Sequence, residues 1–393
     1  MKKICIITVS RADWGLLRWV AREISGSPDL QLQLVAAGAH FSPDQGNTHQ
    51  EIIDDGFTID ARIDITPQET SAMYLLESLG RALPQLSIAF DSLAPDLVVL
   101  LGDRSETLLA AYAATIYGIP LAHIHGGEIT EGAIDDAFRH AVTKMSHLHF
   151  VPHDEYKNRV IQMGEMPDRV FVTGPLGHES TAKIGRLSRE ALEQELGITF
   201  AEKNLLITLH PETLHPERNA QLVSATLDAL AQRSDTCMIF TASNKDVGGD
   251  AINSAVRDFC SARSNAWFFE SLGTRLYVSA MAQVNGVVGN SSSGVLEAPA
   301  LGIPTINIGS RQAGRLREST VFDVAPEGLA IATALDEVLN PRPHIDEKTR
   351  GKTYGEKFPS QIIRDVIVSS SIDTLRDKAF QDLPPKPGQN LVD

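Results

Sequence analysis

Short apolar runs rich in β-branched residues recur along this chain, and each gives way to a stretch of helical length. "KKICIITVS" (2–10), "LQLQLVAAG" (30–38), "PDLVVLLGD" (95–103) and "IPLAHIH" (119–125) are the first four. A strand that is apolar throughout needs cover on both faces. A helix between consecutive strands supplies that cover by crossing over to a parallel neighbour. The pattern therefore predicts a parallel α/β sheet. Helices are expected over 16–24, 106–118 and 133–148, and "HLHFVP" (147–152) and "RVFVTG" (169–174) supply further strands.

After a polar connecting segment, 175–203, the pattern restarts with "NLLITLHP" (204–211) and runs to a last strand, "IPTINIG" (303–309). Two Rossmann-like halves facing a cleft are expected, over 1–175 and 176–358, with 359–393 left as a terminal segment. The length of 393 residues, 42% of them hydrophobic, is enough for a core in each half. Ligands of such sheets bind outside the carboxyl ends of the strands. Arg11, Asp103, His125, His210, Asn244, Ser291 and Arg311 all fall there.

The net charge of −15 argues against nucleic acid as a partner, and an anionic substrate would need a locally basic cleft. Three scattered cysteines, Cys5, Cys237 and Cys260, fit a reducing cytoplasm better than a disulfide framework. The apolar run 4–9 is too short for a signal segment, and no stretch approaches the roughly 18 apolar residues of a membrane span. A cytoplasmic location is expected.

Chemistry concentrates in a few places. "GNSSSG" (289–294) sits between a strand and a helix, where amides and hydroxyls can hold an anion or merely cap the helix. Glu297, just beyond, can reach ribose hydroxyls or face solvent. His210 stands at a strand end ahead of Pro211, and Arg11, Arg104 and Arg311 each follow a strand. Three arginines converging on one cleft of an acidic chain suggest a diphosphate. No GxGxxG or GxxxxGK[ST] is present, which disfavours NAD and Walker-type ATP sites. Asp103 either caps a helix or is a carboxylate in a partly dry cleft.

The segment 123–150 holds five histidines, four carboxylates, an arginine and a lysine. On a helix from about residue 134, Asp135, Arg139 and Thr143 form one stripe, and Asp136, His140 and Lys144 the next. Ile134, Ala137, Phe138, Ala141, Met145 and Leu148 give the apolar side. Part of this charge reads as helix surface, but Glu128 in its Gly-rich loop does not. A metal site would use His123, His125 and Glu128; the helix has no HExxH.

"SRADWGLL", "LLGDRSET", "HIHGGE" with "IDDAFRHAVTKMSH", "LHPET", "GNSSSGVLEAPALGIPTINIGSRQAGR" and the "YG" at Tyr354 occur here in the same order as in the hydrolysing UDP-N-acetylglucosamine 2-epimerases. The chain resembles that family from about residue 4 to 367. The resemblance implies a GT-B-like fold, with a terminal helix over about 359–369 crossing back to the first half. It implies UDP and a UDP-sugar as partners, no metal or other cofactor, and a homodimer or homotetramer. It places Arg11, Arg104, His210, Asn244, Ser291, Ser292, Glu297 and Arg311 on UDP. His40 and Asp136 are expected on the sugar, and Asp103, His125, Glu128, Asp135 and Arg139 in catalysis.

The implied reaction eliminates UDP across carbons 1 and 2 to a 2-acetamidoglucal. Water then adds at carbon 1 and a proton returns to carbon 2 on the other face, releasing N-acetylmannosamine. Family members often carry glutamate where this chain has His125, which leaves the base open between His125 and Glu128. Related enzymes act instead on a UDP- or GDP-linked 2,4-diacetamido-2,4,6-trideoxyglucose. A glycosyltransferase of the same fold and a non-catalytic nucleotide-sugar sensor are the other readings. The carboxylate–histidine strip favours proton chemistry over both.

Overall fold

The computed structural model describes residues 1–42, 47–65, 71–131, 133–244, 246–340 and 357–382. The expected motif residue Tyr354 and the end of the tail, 383–393, lie outside these. Every strand pair is parallel. One sheet holds β1 (Lys2–Thr8), β2 (Leu30–Ala37), β3 (Ala61–Ile63), β4 (Leu97–Leu101), β5 (Leu121–Ile124), β6 (Leu148–Val151) and β7 (Val170–Val172). Its order is β3-β2-β1-β4-β5-β6-β7. The other holds β8 (Lys203–Thr208), β9 (Thr236–Thr241), β10 (Ala266–Phe269), β11 (Gly286–Gly289), β12 (Thr305–Ile308) and β13 (Val321–Val324), ordered β10-β9-β8-β11-β12-β13.

Helices cover both faces of each sheet, so the central strands are apolar on both sides: all of β4 is buried. One face of the first sheet packs Ile4, Ile6 and Val99 against Trp14 and Leu17 of helix Arg11–Ser25. The other packs Cys5, Val98 and Leu100 with Phe90 and Ala111. The strand order reverses between β1 and β4 and again between β8 and β11. A crevice opens at such a reversal. Ser10 and Arg11 follow β1, Asp103 and Arg104 follow β4, His210 follows β8, and Asn290 and Ser291 follow β11.

Some details depart from the sequence reading. The edge strands β3 and β13 were missed, because "ARI" and "VFDV" carry charge and partial exposure. The connecting segment contains two helices, Leu176–Lys183 and Arg189–Leu196. The helix after residue 133 spans Asp135–Met145, and Leu148 opens β6 rather than completing the helix's apolar side. That helix also buries much of its polar stripe: Arg139 and Thr143 are inside with Val142, while Ile134 is 40% exposed.

Helix Pro359–Ser369 returns to the first half, as the resemblance implies, and places Ile363 and Ile367 in its core. Lys2 Nζ donates to the Ile367, Val368 and Ser370 carbonyls at the end of that helix, a cation where the helix dipole is negative. No helix among the described residues is long and apolar enough to cross a membrane.

Candidate active site

A cleft of about 590 Å³ runs between the carboxyl ends of the two sheets, a size suited to a small-molecule ligand. Arg11, Arg104, His210, Asn244, Ser291, Ser292, Glu297 and Arg311 all line it. The sequence put these residues at strand ends, and the two reversal points bring them together.

Arg11 opens helix Arg11–Ser25, whose N-cap Ser10 accepts the Asp13 amide. Its Nη1 crosses the cleft to Ser271 Oγ. Arg104 keeps its proton more firmly than an ordinary arginine. Burial opposes this, but the Asp13, Glu106, Asp246 and Asp135 carboxylates outweigh it. Gly289 has φ +131, and a side chain there would run into the Thr208 carbonyl. Only glycine lets β11 approach β8 so closely at this point. The fully buried Asn290 then pins the neighbouring turn. Its Oδ1 accepts the His210 amide at 2.7 Å and its Nδ2 donates to the His210 carbonyl at 2.8 Å.

His210 Nδ1 accepts the Asn244 amide at 3.1 Å, which leaves the ring proton on Nε2 as a donor. Burial, then the arginines Arg311, Arg104 and Arg11, holds the imidazole neutral. Arg311 is set by Glu212, which is buried and accepts the Ser310 and Arg311 amides through Oε1 at 2.5 and 3.1 Å. Glu297 lies at the end of the short helix Ser292–Leu296, not in its first turn. Burial pushes its carboxyl up to about 7 against the pull of Arg11. A cleft with this many cations and oriented donors suits a diphosphate. His210→Ala and Arg311→Ala are each expected to weaken UDP binding about 10- to 100-fold, the worth of one charge-assisted hydrogen bond. Titration calorimetry with UDP checks this, and unchanged affinity in both would place the nucleotide elsewhere.

His125 lines the same cleft and connects it to a second cluster. It is a non-glycine residue with φ +66, a conformation that needs support from its surroundings. Its amide bonds the Phe150 carbonyl at 2.8 Å, Nε2 accepts the Leu176 amide at 3.4 Å, and Nδ1 lies 2.9 Å from Glu128 Oε1. Nε2 is thus engaged, and Nδ1 lies against Glu128 Oε1 as a close contact. Burial alone would push the Glu128 carboxyl up, but Arg315 first, then His125, brings it below its ordinary value.

Arg139, 1% exposed, ties this cluster together. It donates to the Glu128 carbonyl at 3.1 Å, Thr130 Oγ1 at 2.9 Å and Asp136 Oδ1 at 3.3 Å, and contacts Asp103 Oδ2 directly. Burial, then Arg315, pulls its proton affinity down, while the Asp103 and Asp136 carboxylates are in contact with it. The cation in direct contact with Asp103 is Arg139. Asp135 is pushed up by burial and then by Asp246, against Arg311 and Arg104.

Some expected residues are placed elsewhere. His40 is fully buried, with Nε2 at 2.9 Å from Thr8 Oγ1 and Nδ1 at 3.0 Å from Thr48 Oγ1, so its ring supports the wall and does not face a sugar. The Asp136 carboxylate is occupied by the Thr130 amide at 2.6 Å, Arg139, and His140 at 3.4 Å. It braces Arg139 instead of meeting a ligand. His123 spends Nε2 on the Gly102 carbonyl at 2.7 Å and Nδ1 on Thr143 at 3.1 Å, steadying the turn that carries Asp103. Among the described residues no His, Cys, Asp or Glu group is arranged to hold a metal ion.

Other site residues were missed. Asn290 and Glu212 act through backbone bonds, which leave no sequence signal. Asp246 lies beyond the strand end in a loop. Arg315 was in view within "GSRQAGR", but nothing local says that it crosses to the other half.

A family model described as UDP-N-acetylglucosamine 2-epimerase matches residues 22–368. The chain is 38% identical to the GDP/UDP-N,N'-diacetylbacillosamine 2-epimerase (hydrolyzing) of Campylobacter jejuni, covering 97% of this chain and 99% of that one. It is 33% identical to the UDP-N,N'-diacetylbacillosamine 2-epimerase (hydrolyzing) of Legionella pneumophila, over 90% and 95% of the two chains. The crystal structure of the UDP-GlcNAc 2-epimerase of Neisseria meningitidis bound to UDP-GlcNAc superposes with a TM-score of 0.77. It is 18% identical and covers 94% of this chain and 100% of that one. The fold is the GT-B-like arrangement of that structure, and the chain belongs to the UDP-N-acetylglucosamine 2-epimerase family, in its hydrolysing branch.

Proposed function

We propose that this protein is a hydrolysing 2-epimerase of a UDP- or GDP-linked 2,4-diacetamido-2,4,6-trideoxyglucose, releasing the nucleoside diphosphate and the 2-epimeric free sugar. The observation that carries the reaction type is the junction at His125. There a cation-lined cleft meets a buried cluster that holds one carboxyl down, Glu128, while another, Asp135, is pushed up where Arg311 and Arg104 face it. Carboxyls driven apart in this way suit a base and an acid. The names of the two relatives at 38% and 33% identity support the diacetamido sugar over UDP-N-acetylglucosamine. UDP-N-acetylglucosamine, hydrolysed to N-acetylmannosamine, is the second reading.

In this mechanism Glu128 takes the hydrogen of carbon 2. The electron pair of that bond forms the carbon 1–carbon 2 double bond as the diphosphate leaves carbon 1. Arg11, Arg104, Arg311 and His210 stabilise the departing charge. Water then adds at carbon 1, and Asp135 or Asp103 returns a proton to carbon 2 from the opposite face. His125 orients Glu128. The first half serves the sugar and the second the nucleotide. A homodimer or homotetramer is part of the same proposal, and sedimentation measures it.

The test is turnover in heavy water with each candidate nucleotide sugar, followed by proton NMR. Deuterium is expected at carbon 2 of the product, with inverted configuration there, and the diacetamido substrates are expected to react faster. Retained hydrogen at carbon 2 would sink the elimination. Turnover of UDP-N-acetylglucosamine alone would restore the second reading.

A further inference from the structure

The loop after β12 belongs to the second half of the chain but ends up in the first. It leaves Ile308, runs past Ser310 and Arg311 on Glu212, and anchors on the first half at two points. The Glu131 amide donates to the Ala313 carbonyl at 3.1 Å, and the Leu316 amide donates to Tyr156 Oη at 2.9 Å. Between them Gly314 has φ +83 and lies so close to Ile129 that any side chain would collide with it. Glycine here permits both the left-handed turn and the close approach. The next residue is Arg315, and these contacts deliver its side chain into the proton cluster.

Arg315 Nη2 lies 3.4 Å from Glu128 Oε2 and 3.9 Å from Asp103 Oδ2, with the arginine side chain 8% exposed. Its Nε and Nη1 are buried and have no hydrogen-bond partner among the described residues. A guanidinium so far from water is costly unless charge nearby requires it. Two catalytic-site carboxylates supply that requirement. Arg315 is not among the residues lining the nucleotide cleft.

We propose that Arg315 is a positioning residue supplied across the cleft by the second half, which holds Glu128 ionised and in place beside Asp103. The proton machinery is then complete only when the two halves are together. This rests on the function proposed above, with Glu128 as base. The other groups facing Glu128 are His125 on its own turn, His123 on β5, Tyr156 on helix Asp154–Gln162, and Arg139, which bonds its backbone. Among them Arg315 does most to bring the Glu128 carboxyl down, so its removal raises that carboxyl and a base of this kind works only at higher pH.

The experiment compares Arg315→Gln and Arg315→Lys with the parent chain. Arg315→Gln is expected to lower kcat about 100-fold, the scale of a misplaced reacting group, with UDP affinity unchanged. The acid limb of kcat/KM against pH is expected to move to higher pH. Arg315→Lys, which keeps the charge, is expected to restore the limb. A loss of kcat with the limb unmoved would make Arg315 merely structural, and weakened UDP binding with kcat intact would make it a phosphate contact; either overturns the proposal. Should the parent chain turn over none of the nucleotide sugars, the function fails but this inference is still readable. The Glu128 carboxyl, labelled with carbon-13 and assigned by its loss in Glu128→Gln, must titrate at higher pH in Arg315→Gln. An unmoved titration there would also overturn it.

Discussion

Asp103→Asn and Glu128→Gln are each expected to lower kcat about 100- to 10,000-fold, the usual worth of one proton-transfer group, while UDP binds as in the parent chain. Both substitutions keep the shape of the side chain and remove the charge. Neither residue lines the cation-lined cleft, whose arginines and His210 are untouched. Asn at position 103 can still accept from Arg139, so the fold around it stays in place. His125→Ala is expected to cost less than Glu128→Gln, because it removes what orients the carboxylate and not the carboxylate itself. Steady-state kinetics with calorimetry for UDP separates the effects. An Asp103→Asn or Glu128→Gln variant within roughly tenfold of the parent rate would remove that residue from the proton transfers. A fully active Glu128→Gln beside a dead His125→Ala would make the histidine the base.

The second large effect is on stability. Arg139→Ala is expected to destabilise the first half by about 3 kcal/mol, the lower end for breaking a buried ion pair. Arg139 is 1% exposed, but its partners Asp103 and Asp136 keep 23% and 28% of their side-chain surface, so water can reach the carboxylates left behind. The loss goes beyond charge: the Glu128 carbonyl and Thr130 Oγ1 also lose their donor. Urea unfolding followed by tryptophan fluorescence is well placed to see it, since Trp14 and Trp19 both lie on helix Arg11–Ser25 of the first half. A midpoint equal to the parent's would mean that the network is not what holds this loop. Turnover is expected to vanish with it, because Asp103, the Glu128 carbonyl and Thr130 Oγ1 share the same arginine.

The architecture was legible in the sequence because a parallel sheet writes itself locally. A strand buried on both faces is apolar along its whole length, as β4 is, and the helix that follows shows the other period. Two short, charged edge strands, β3 and β13, did not write themselves this way and went unseen. The cation-lined end of the site was legible for a related reason. Strand ends are where such sheets bind ligands, so Arg11, Arg104, His210 and Arg311 stood out by position alone.

The proton cluster was only half legible. Its residue types were visible in 123–150, but which stripe of helix Asp135–Met145 faces inward depends on what packs against it. The apolar residues pointed one way and the buried Arg139 and Thr143 the other. The resemblance implies that His40 and Asp136 meet a ligand, yet neighbours three or more residues away satisfy them. Tertiary structure alone decided Arg315. Its place depends on a glycine that lets one half of the chain touch Ile129 of the other, and on two amides bonded across the cleft. A sequence states which charges a protein owns. Which carboxylate each charge faces is set by contacts between segments nearly two hundred residues apart, where no local pattern reaches.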